Sequence, residues 1–281
     1  MKLVSVEEMK SFEAAANEKG LTYAKMMENA GKGLAEYVDN AHSHDGRGKV
    51  LGLVGTGNNG GDTLIALANL QRKGWETYAY LVKPRGDQDA PFQQLKEAGG
   101  EFAIWDEDVQ LEKFTQWLDE SGLVLDGILG TGIKLPLKPE IAKFLSAVQE
   151  KIESLEVEPV IVAVDSPSGV DCETGMAAPE TIPADETVCM GAVKIGLLSF
   201  PALGLAGEIT TVDIGMDDIP GWSDIKRSVV DAEMVREALP ARKLNSHKGT
   251  YGTALLVVGS VNFTGAAYLS AEAAYRMGAG L

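Results

Sequence analysis

Cysteine and histidine are scarce in this sequence, which has two cysteines and three histidines among 281 residues. Cys172 and Cys189 lack the paired spacing of zinc ligands, and so few thiols in a chain of this length indicate a reducing compartment. We expect both cysteines to be packed and inert. His247 has no serine or cysteine nucleophile in a triad context. His42 and His44 stand in a polar stretch and are expected to be solvated.

Positive charge is also in deficit. The chain has 25 lysines and arginines against 41 aspartates and glutamates, a formal net charge of −16 at pH 7. Such a surface repels nucleic acids and anionic membranes, so we expect neither as a partner. No apolar run approaches the roughly 20 residues of a membrane span, and the first residues lack the features of a signal peptide. These absences predict a cytoplasmic protein. A phosphate ligand is still compatible with them if backbone N–H groups bind it.

A helical opening is followed by alternating strands and helices. Ser5 and Glu8 form a capping box for the first helix, and a second helix is predicted after Thr22. Seven apolar segments are predicted strands: Val50–Val54, Thr77–Val82, Glu101–Ile104, Leu123–Leu125, Val160–Val164, Thr187–Met190 and Ile209–Asp213. Four predicted helices lie between them: Asp62–Lys73, Ala90–Ala98, Gln110–Asp119 and Pro139–Ile152. This pattern predicts an α/β fold, a three-layer αβα Rossmann-like arrangement with a mostly parallel sheet whose strand-end loops share one edge.

A glycine-rich turn, GTGNNGGD, runs from Gly55 to Asp62 between the first of these strands and a helix. Its glycines permit positive φ and close approach of the backbone to a ligand. The free N–H groups at the helix start favour an anion such as a pyrophosphate. Asn58 and Asn59 add amide groups that both donate and accept hydrogen bonds. An ordinary turn capped by Asp62 would explain one glycine pair, but four glycines around two asparagines favour a ligand site.

The same turn matches the G-x-G-x-x-G spacing of dinucleotide-binding dehydrogenases. That fingerprint expects an acidic residue near the end of the second strand to bind the ribose. Here the strand ends at Val82 and is followed by Lys83 and a proline. An NAD-dependent dehydrogenase is therefore disfavoured, whereas an NADP-type oxidoreductase that uses Lys83 or Arg85 stays open.

Two further strand-end loops carry acidic and hydroxyl side chains. The loop LDGILGTGIKLP has Asp126 at a strand end and Lys134 in a glycine turn, and AVDSPSGVD has Asp165 at a strand end and Ser168 in a turn. Singly, these residues would be turn caps and a solvated lysine. Three loops at one sheet edge should instead bring Asn59, Asp126 and Ser168 together, with Asp165 and Lys134 as candidate proton-transfer groups. Oxygen ligands of such low charge favour a hard monovalent cation.

These motifs, in this order, resemble the NAD(P)H-hydrate epimerase family, the YjeF-type N-terminal domain. The resemblance covers residues 1–217 through MMENAG, GTGNNGGD, LDGILGTG, DSPSG and ADETVCMGAVKIGLLSFP. It implies an isomerase of nicotinamide nucleotide repair that interconverts the R and S hydrates of NADH and NADPH (NADHX and NADPHX). It also implies one K⁺ ion, bound by Asn59, Asp126 and Ser168.

The resemblance further implies three segments that contact the substrate. They are Asn58, Asn59, Gly60, Gly61 and Asp62; Gly130, Thr131, Gly132, Ile133, Lys134, Leu135 and Pro136; and Asp165. We expect Asp165 to be the general acid/base, with Lys134 assisting, a role typically worth ~10²–10⁴-fold in rate. The sequence departs from the family at Ser166, usually aliphatic, and at Gly127, often alanine. Neither departure removes a proposed ligand.

The last part of the chain is predicted to be a linker, residues 218–242, followed by the start of a second domain, residues 243–281. This end resembles the opening of an ADP- or ATP-dependent NAD(P)H-hydrate dehydratase, a ribokinase-like domain, as in bifunctional repair enzymes. It has one predicted strand, Ala254–Val258, and one helix, from Thr264 to near Gly278. A single βα unit cannot bury both faces. The segment is therefore expected to be only part of that domain. Because the catalytic and nucleotide-binding parts are expected to lie beyond Leu281, we expect neither dehydratase nor sugar kinase activity from this segment alone.

Two other functions stay open. A non-catalytic, dimeric interaction module is one, although such relatives tend to lose the Asn–Asn–Gly–Gly–Asp run or the loop aspartate, which this chain retains. The other is the NADP-type oxidoreductase, for which no catalytic histidine or Tyr–Lys pair is evident. A homo-oligomer is compatible with the sequence, and NADHX and NADPHX are both candidate substrates.

Overall fold

The apolar segments form strands in the computed structural model, which describes residues 1–43 and 48–281; His44 therefore lies outside the described residues. The strands are β1 (Leu3–Val4), β2 (Lys49–Val54), β3 (Glu76–Leu81), β4 (Glu101–Ile104), β5 (Leu123–Gly127), β6 (Val160–Val164), β7 (Glu186–Met190), β8 (Val193–Lys194) and β9 (Glu208–Val212). All seven predicted strands are confirmed, as β2 to β7 and β9. The two-residue strands β1 and β8 were not predicted.

In the described part of the chain, seven strands form a parallel sheet in the order β4-β3-β2-β5-β6-β7-β9. The chain leaves β2 toward β3 on one side and later returns to β5 on the other. This is a topological switch point, where α/β proteins bind ligands outside the carboxyl ends of the strands. A separate parallel ladder joins β1 to β8 and pairs Val4 with Lys194.

Helices cover both faces of the sheet. They are α1 (Val6–Glu18), α2 (Tyr23–His42), α3 (Asn58–Arg72), α4 (Ala90–Ala98), α5 (Glu112–Glu120) and α6 (Pro139–Glu153). Side chains of β2 alternate between two cores, as successive strand residues must. Val50 and Val54 pack in the core that contains residues of α1 to α4, whereas Leu51 and Leu53 pack with α5 and α6. The predicted three-layer αβα fold is confirmed.

The start of α1 was predicted correctly, but the start of α3 was not. At α1, Ser5 Oγ accepts from the Glu8 amide (3.1 Å) and the Glu8 carboxylate accepts from the Ser5 amide (2.8 Å), which completes the capping box. Helix α3 begins at Asn58, four residues before the predicted Asp62, and its N-cap is Gly57. A glycine cap has no side chain to mark the boundary, so Asp62 lies inside the helix and does not cap it.

The chain divides into two compact units, Met1–Val229 and Val230–Leu281. Part of the predicted linker, residues 218–229, therefore belongs to the first unit. Ile219 and Trp222 are buried in its core. The reason is that the Trp222 ring packs edge-on against Phe12, with ring centroids 5.4 Å apart. The domain limits of 1–217, 218–242 and 243–281 stay predictions.

The second unit contains two α-helices in the described residues, α7 (Ala232–Ala238) and α8 (Thr264–Arg276). Helix α8 confirms the helix predicted from Thr264. The strand predicted at Ala254–Val258 is absent, and Leu255 and Val257 there are 87% and 88% exposed. A strand needs a neighbour to accept and donate its backbone hydrogen bonds, and this segment has no strand beside it among the described residues of the unit.

Other expectations from composition have mixed outcomes. Both cysteines are free and buried, as expected. His42 is not solvated as expected, because it is half-buried and hydrogen-bonds the Glu186 carboxylate (3.1 Å). His247 is exposed. Among residues 1–43 and 48–281, no helix has both the length and the hydropathy to cross a bilayer.

Candidate active site

Three loops meet at the carboxyl edge of the sheet because β2, β5 and β6 are neighbours. The Gly55 amide, after β2, donates to the Gly127 carbonyl at the end of β5 (3.1 Å). The side-chain amide of Asn59 donates to Leu129 O (2.8 Å) and to Val164 O (2.6 Å). The structure therefore brings the glycine-rich turn, the loop after β5 and the end of β6 into direct contact.

The glycine-rich turn leaves the first N–H groups of α3 without a side-chain cap, since the N-cap is Gly57. A Cβ at Gly55 would lie 1.8 Å from Ile128 O, and one at Gly60 would lie 2.1 Å from Gly55 O. A Cβ at Gly57 would meet nothing within 4 Å. Gly55 and Gly60 are thus required for close packing of the turn itself. The uncapped N–H groups beside Gly57 can bind an anion.

Asp126 and Ser168 form a buried polar cluster, which Leu129 links to the side-chain amide of Asn59. Asp126 is 1% exposed, and its carboxylate accepts from the Ser168 amide (2.7 Å) and the Ser168 hydroxyl. The Ser168 oxygen accepts from the Leu129 amide (2.9 Å). Burial raises the pKa of Asp126, and hydrogen bonds from Ser168 and Ile128 oppose that rise. The groups that stabilise this buried carboxylate are all uncharged.

Asp165 follows β6 and pairs with a buried lysine. Its backbone is left-handed (φ +66°), a conformation that aspartate tolerates better than most residues. Its Oδ1 accepts from the Met190 amide (2.9 Å) and from Lys194 Nζ, which also donates to Met190 O (3.3 Å). Lys194 is 2% exposed. Burial alone would lower the pKa of Lys194, but the charge of Asp165 raises it above its ordinary value.

Two more carboxyl groups interact electrostatically with this ion pair. Burial raises the pKa of Asp62 well above its ordinary value, and the charges of Asp165 and Glu13 raise it further. Burial likewise raises the pKa of Glu13, on α1, while the charge of Lys194 opposes the rise. The site thus combines a carboxylate that has an ammonium partner with carboxyl groups that favour the neutral acid.

Lys134 does not join this cluster through an ion pair among the described residues. It is exposed in the loop after β5, and the ammonium group that pairs with Asp165 belongs to Lys194. The rest of that loop, residues 130–136, is exposed or half-buried and includes a cis peptide bond before Pro136. Asn58 is exposed at the first position of α3. These residues line the same sheet edge as Asp165, since the loop follows β5.

The basic residues after β3 have carboxylate partners. Arg85 donates to Asp89 (2.7 Å) and to Gly55 O (3.0 Å), which places its guanidinium against the glycine-rich turn. Lys83 donates to Asp106 (2.9 Å). Arg85 therefore supports the shape of the turn.

Neither Lys194 nor Glu13 is among the candidate site residues named from the sequence. Lys194 lies 29 residues after Asp165 in an apolar segment, GAVKIGLL. A lysine among apolar residues indicates burial, and that was the one sequence feature that pointed to a special role for it. Glu13 reaches the site because α1 packs in the same core as β6, a long-range contact that no local pattern indicates.

A model of a known protein family matches the segment that contains these loops. Residues 23–196 match the model of the family described as "YjeF-related protein N-terminus". The chain belongs to this family. The matched range includes all three loops and Lys194, whereas Glu13 and β1 lie before it.

Curated relatives carry names that fit the family. The chain is 39% identical over 199 residues to an "NAD(P)H-hydrate epimerase" of Clavibacter michiganensis, which covers 69% of this chain and 83% of that protein. It is 33% identical over 288 residues to a "Bifunctional NAD(P)H-hydrate repair enzyme Nnr" of Moorella thermoacetica, covering 100% of this chain and 53% of that protein. The chain thus spans about half the length of the bifunctional relatives. The resemblance to the epimerase family is confirmed.

A solved structure shares the fold. The crystal structure of the yeast protein ynu0 aligns with a TM-score of 0.60 at 22% identity, covering 75% of this chain and 87% of that one. At this identity the likeness is evidence for the fold alone, and it agrees with the parallel sheet described above.

Proposed function

We propose that this chain epimerises the R and S hydrates of NADH and NADPH. The proposal rests on the position of Asp165. Its carboxylate pairs with the buried Lys194 at the carboxyl edge of the sheet, where α3 begins without a side-chain cap. The relatives named as hydrate epimerase and hydrate repair enzymes support it. Dehydration is not proposed for this chain; ADP or ATP would concern only the dehydratase part of bifunctional enzymes.

The dinucleotide is proposed to bind along the carboxyl edge of the sheet. Its pyrophosphate would accept hydrogen bonds from the free N–H groups at the start of α3. Backbone donors of this kind can bind an anion even though the chain has a strongly negative net charge. Asn58 is exposed there and can bond the ligand. The loop of residues 130–136, with Lys134, would contact the nicotinamide half next to Asp165. Lys134 remains a proposed substrate-binding and assisting residue.

The chemistry requires proton transfer at a single carbon. The hydrated ring carbon carries a hydroxyl group and is bonded to the ring nitrogen. When a proton is delivered to that hydroxyl, the C–O bond breaks, water leaves, and the nitrogen lone pair forms a C=N bond to a planar carbon. Water then adds to the opposite face and loses a proton, so substrate and product are isomers. Asp165 is positioned to accept a proton in one direction and to donate it in the other.

Asp62 complements Asp165 in this scheme. Its burial and its carboxylate neighbours favour the neutral acid, whereas Asp165 has an ammonium partner. Environments that separate two carboxyl groups in this way are typical of acid and base pairs. Asp62 is therefore proposed to donate a hydrogen bond or proton to the departing hydroxyl group.

The donor chemistry of the Asp126 cluster fits a potassium ion. Asp126 is a buried carboxylate whose stabilising partners are uncharged, next to a serine hydroxyl and an asparagine amide. Among the residues the structure describes, no three His, Cys, Asp or Glu side chains are grouped to bind a metal. A monovalent cation matches such a low-charge oxygen set. Asn59, Asp126 and Ser168 would bind K⁺, which would neutralise Asp126 and hold the three loops together.

The test is chromatographic separation of the R and S hydrates of NADH, with and without the protein, in excess of a separately prepared S-specific dehydratase. We expect the R isomer to disappear faster when the protein is present. Disappearance at the spontaneous rate would refute the proposal and favour the non-catalytic interaction module. Hydride transfer to a second substrate would instead favour the NADP-type oxidoreductase. Cytoplasmic location, consistent with scarce thiols, is also part of the proposal.

A further inference from the structure

Lys194 contacts Asp165 on one side of its carboxylate only. Oδ1 accepts both from Lys194 Nζ and from the Met190 amide, while none of the described residues donates to Oδ2. Met190 O accepts from the same ammonium group, so the three residues close a small hydrogen-bonded ring. The Asp165 side chain is 13% exposed. Of its two carboxylate oxygens, Oδ2 is the one without a hydrogen-bond donor in the described part of the chain.

Lys194 cannot be the group that meets the substrate. Its side chain is 2% exposed, and its ammonium group is directed at Asp165 and Met190. Bringing it to a ligand would require breaking a buried ion pair, which is strongly unfavourable. Any effect of Lys194 on the reaction must therefore act through Asp165.

The backbone of Lys194 is held by the start of the chain. Val4 of β1 pairs with Lys194 of β8, and the Val193 amide donates to Lys2 O (3.0 Å). The same segment is joined to the end of the first unit, where the Leu3 amide donates to Arg227 O (3.0 Å). Lys194 is thus fixed by pairings on its backbone as well as on its ammonium group.

We infer that Lys194 is a positioning residue: together with the Met190 amide it fixes Oδ1 of Asp165, so that Oδ2 alone exchanges protons with the substrate. This inference rests on the proposed function. The proposed role of Lys194 is preorganisation of the Asp165 side chain. A carboxylate that is free to rotate about its side-chain bonds would lose the orientation on which proton transfer depends.

The titratable groups around the pair are known from the structure. Glu13 of α1 and Asp62 of α3 interact with both Asp165 and Lys194. The thiols of Cys172 and Cys189 also interact with the pair, and Cys189 donates a weak hydrogen bond to Asp165 O (3.5 Å). Among these five side chains Lys194 is the one cation, so its removal leaves Asp165 with two carboxyl groups and two thiols from this set.

The test compares steady-state epimerisation of the NADH hydrate by wild type and by Lys194→Met, which keeps the length of the side chain but not its charge. We expect kcat to fall by roughly 10²-fold, within the usual range for a disturbed acid/base group, with KM nearly unchanged. Lys194→Arg keeps the charge and the hydrogen-bond donors, and it should retain a kcat well above that of Lys194→Met.

Two control variants distinguish a failure of the inference about Lys194 from a failure of the proposed function. Lys143→Met makes the same change on the exposed face of α6 and should behave as wild type. Asp165→Asn tests the proposed function by itself: if it is as active as wild type, the function assigned to Asp165 fails. If Asp165→Asn is inactive but folded Lys194→Met keeps the wild-type kcat and KM, only the inference about Lys194 is overturned. Should Lys194→Met fail to fold, Lys194→Gln carries the same expectations.

Discussion

There is no space for a side chain at Gly127, because the side chain of Thr63 occupies that space. A Cβ at Gly127 would lie 1.8 Å from Thr63 Oγ1, which is buried and donates to Asn59 O (2.8 Å). The threonine on α3 that faces Gly127 therefore explains why this position is a glycine. The effects of substitutions at the two positions on stability should be coupled.

We predict that Gly127→Ala lowers the free energy of unfolding by about 1–3 kcal/mol, as overpacking in a core usually does. In the Gly127→Ala/Thr63→Ala double variant the shortest clash is removed, so part of the loss should return. Urea unfolding of the four proteins gives the coupling energy, expected at about 0.5–3 kcal/mol for residues in contact. Strictly additive losses would show that Thr63 is not the obstacle.

Asp62 gives a prediction on pH. Its folded-state pKa is raised by burial and by the charges of Asp165 and Glu13. Between its ordinary value of 3.8 and the raised value, the unfolded chain has lost the proton that the folded protein keeps. The stability contributed by this group is therefore lost as pH rises through that window. Asparagine has no such titration.

Asp62→Asn should consequently become more stable relative to wild type as pH rises above about 4. The measurement is the free energy of unfolding of both proteins from pH 4 to pH 8. Asp119→Asn, on the exposed side of α5, is the matched control. A stability difference between Asp62→Asn and wild type that stays constant over this pH range would contradict the raised pKa of Asp62.

Among the elements, α1 supports the site from outside the three loops. It begins at the Ser5 capping box, contains Glu13, and follows β1, whose pairing with β8 holds Lys194. The Val6 amide at its start donates to the Glu173 carboxylate (3.0 Å), in the region after β6. The start of α1 is thus tied to distant parts of the first unit.

Ser5→Ala should lower the free energy of unfolding by ~1 kcal/mol, the usual cost of losing an N-cap side chain. Ser11→Ala provides a control in the same helix, because the Ser11 hydroxyl is exposed and donates only to Glu7 O (2.9 Å). Thermal or urea unfolding of both variants decides the comparison. Equal effects of the two substitutions would mean that the capping box does not stabilise α1.

Element by element, the sequence predicted what local patterns can encode. Apolar runs located the seven sheet strands, and the glycine-rich turn located the start of the site. The start of α3 was missed because Gly57 caps it without a side chain. The Asp165–Lys194 pair could not be predicted, since its partners come from separate strands. The segment at Ala254–Val258 has strand propensity, but propensity alone forms no strand without a partner.

For the molecule as a whole, the three loops are connected by Asn59 and by the Asp126–Ser168 cluster. A cation bound there would stabilise the folded first unit and have no site in the unfolded chain. Binding to the folded state alone adds RT ln(1 + [L]/Kd), about 2.7 kcal/mol at one hundred times Kd. The proposed potassium site therefore predicts a stability that depends on the ion.

We predict a higher Tm in potassium chloride than in tetramethylammonium chloride of the same ionic strength. The difference should disappear in Asp126→Asn, which removes the charge that the ion would neutralise. Differential scanning fluorimetry of both proteins in the two salts tests this. An equal Tm for wild type in both salts would contradict the assignment of K⁺ to Asn59, Asp126 and Ser168.

The proposed activity depends on one carboxylate, so the most direct measurement is the rate of R-hydrate consumption by Asp165→Asn beside wild type, under the coupled conditions given above. Asparagine keeps the size of the side chain and removes its ability to exchange a proton. The account predicts that the variant, still folded by circular dichroism, consumes the R isomer no faster than the spontaneous reaction. Wild-type rates in folded Asp165→Asn would contradict it.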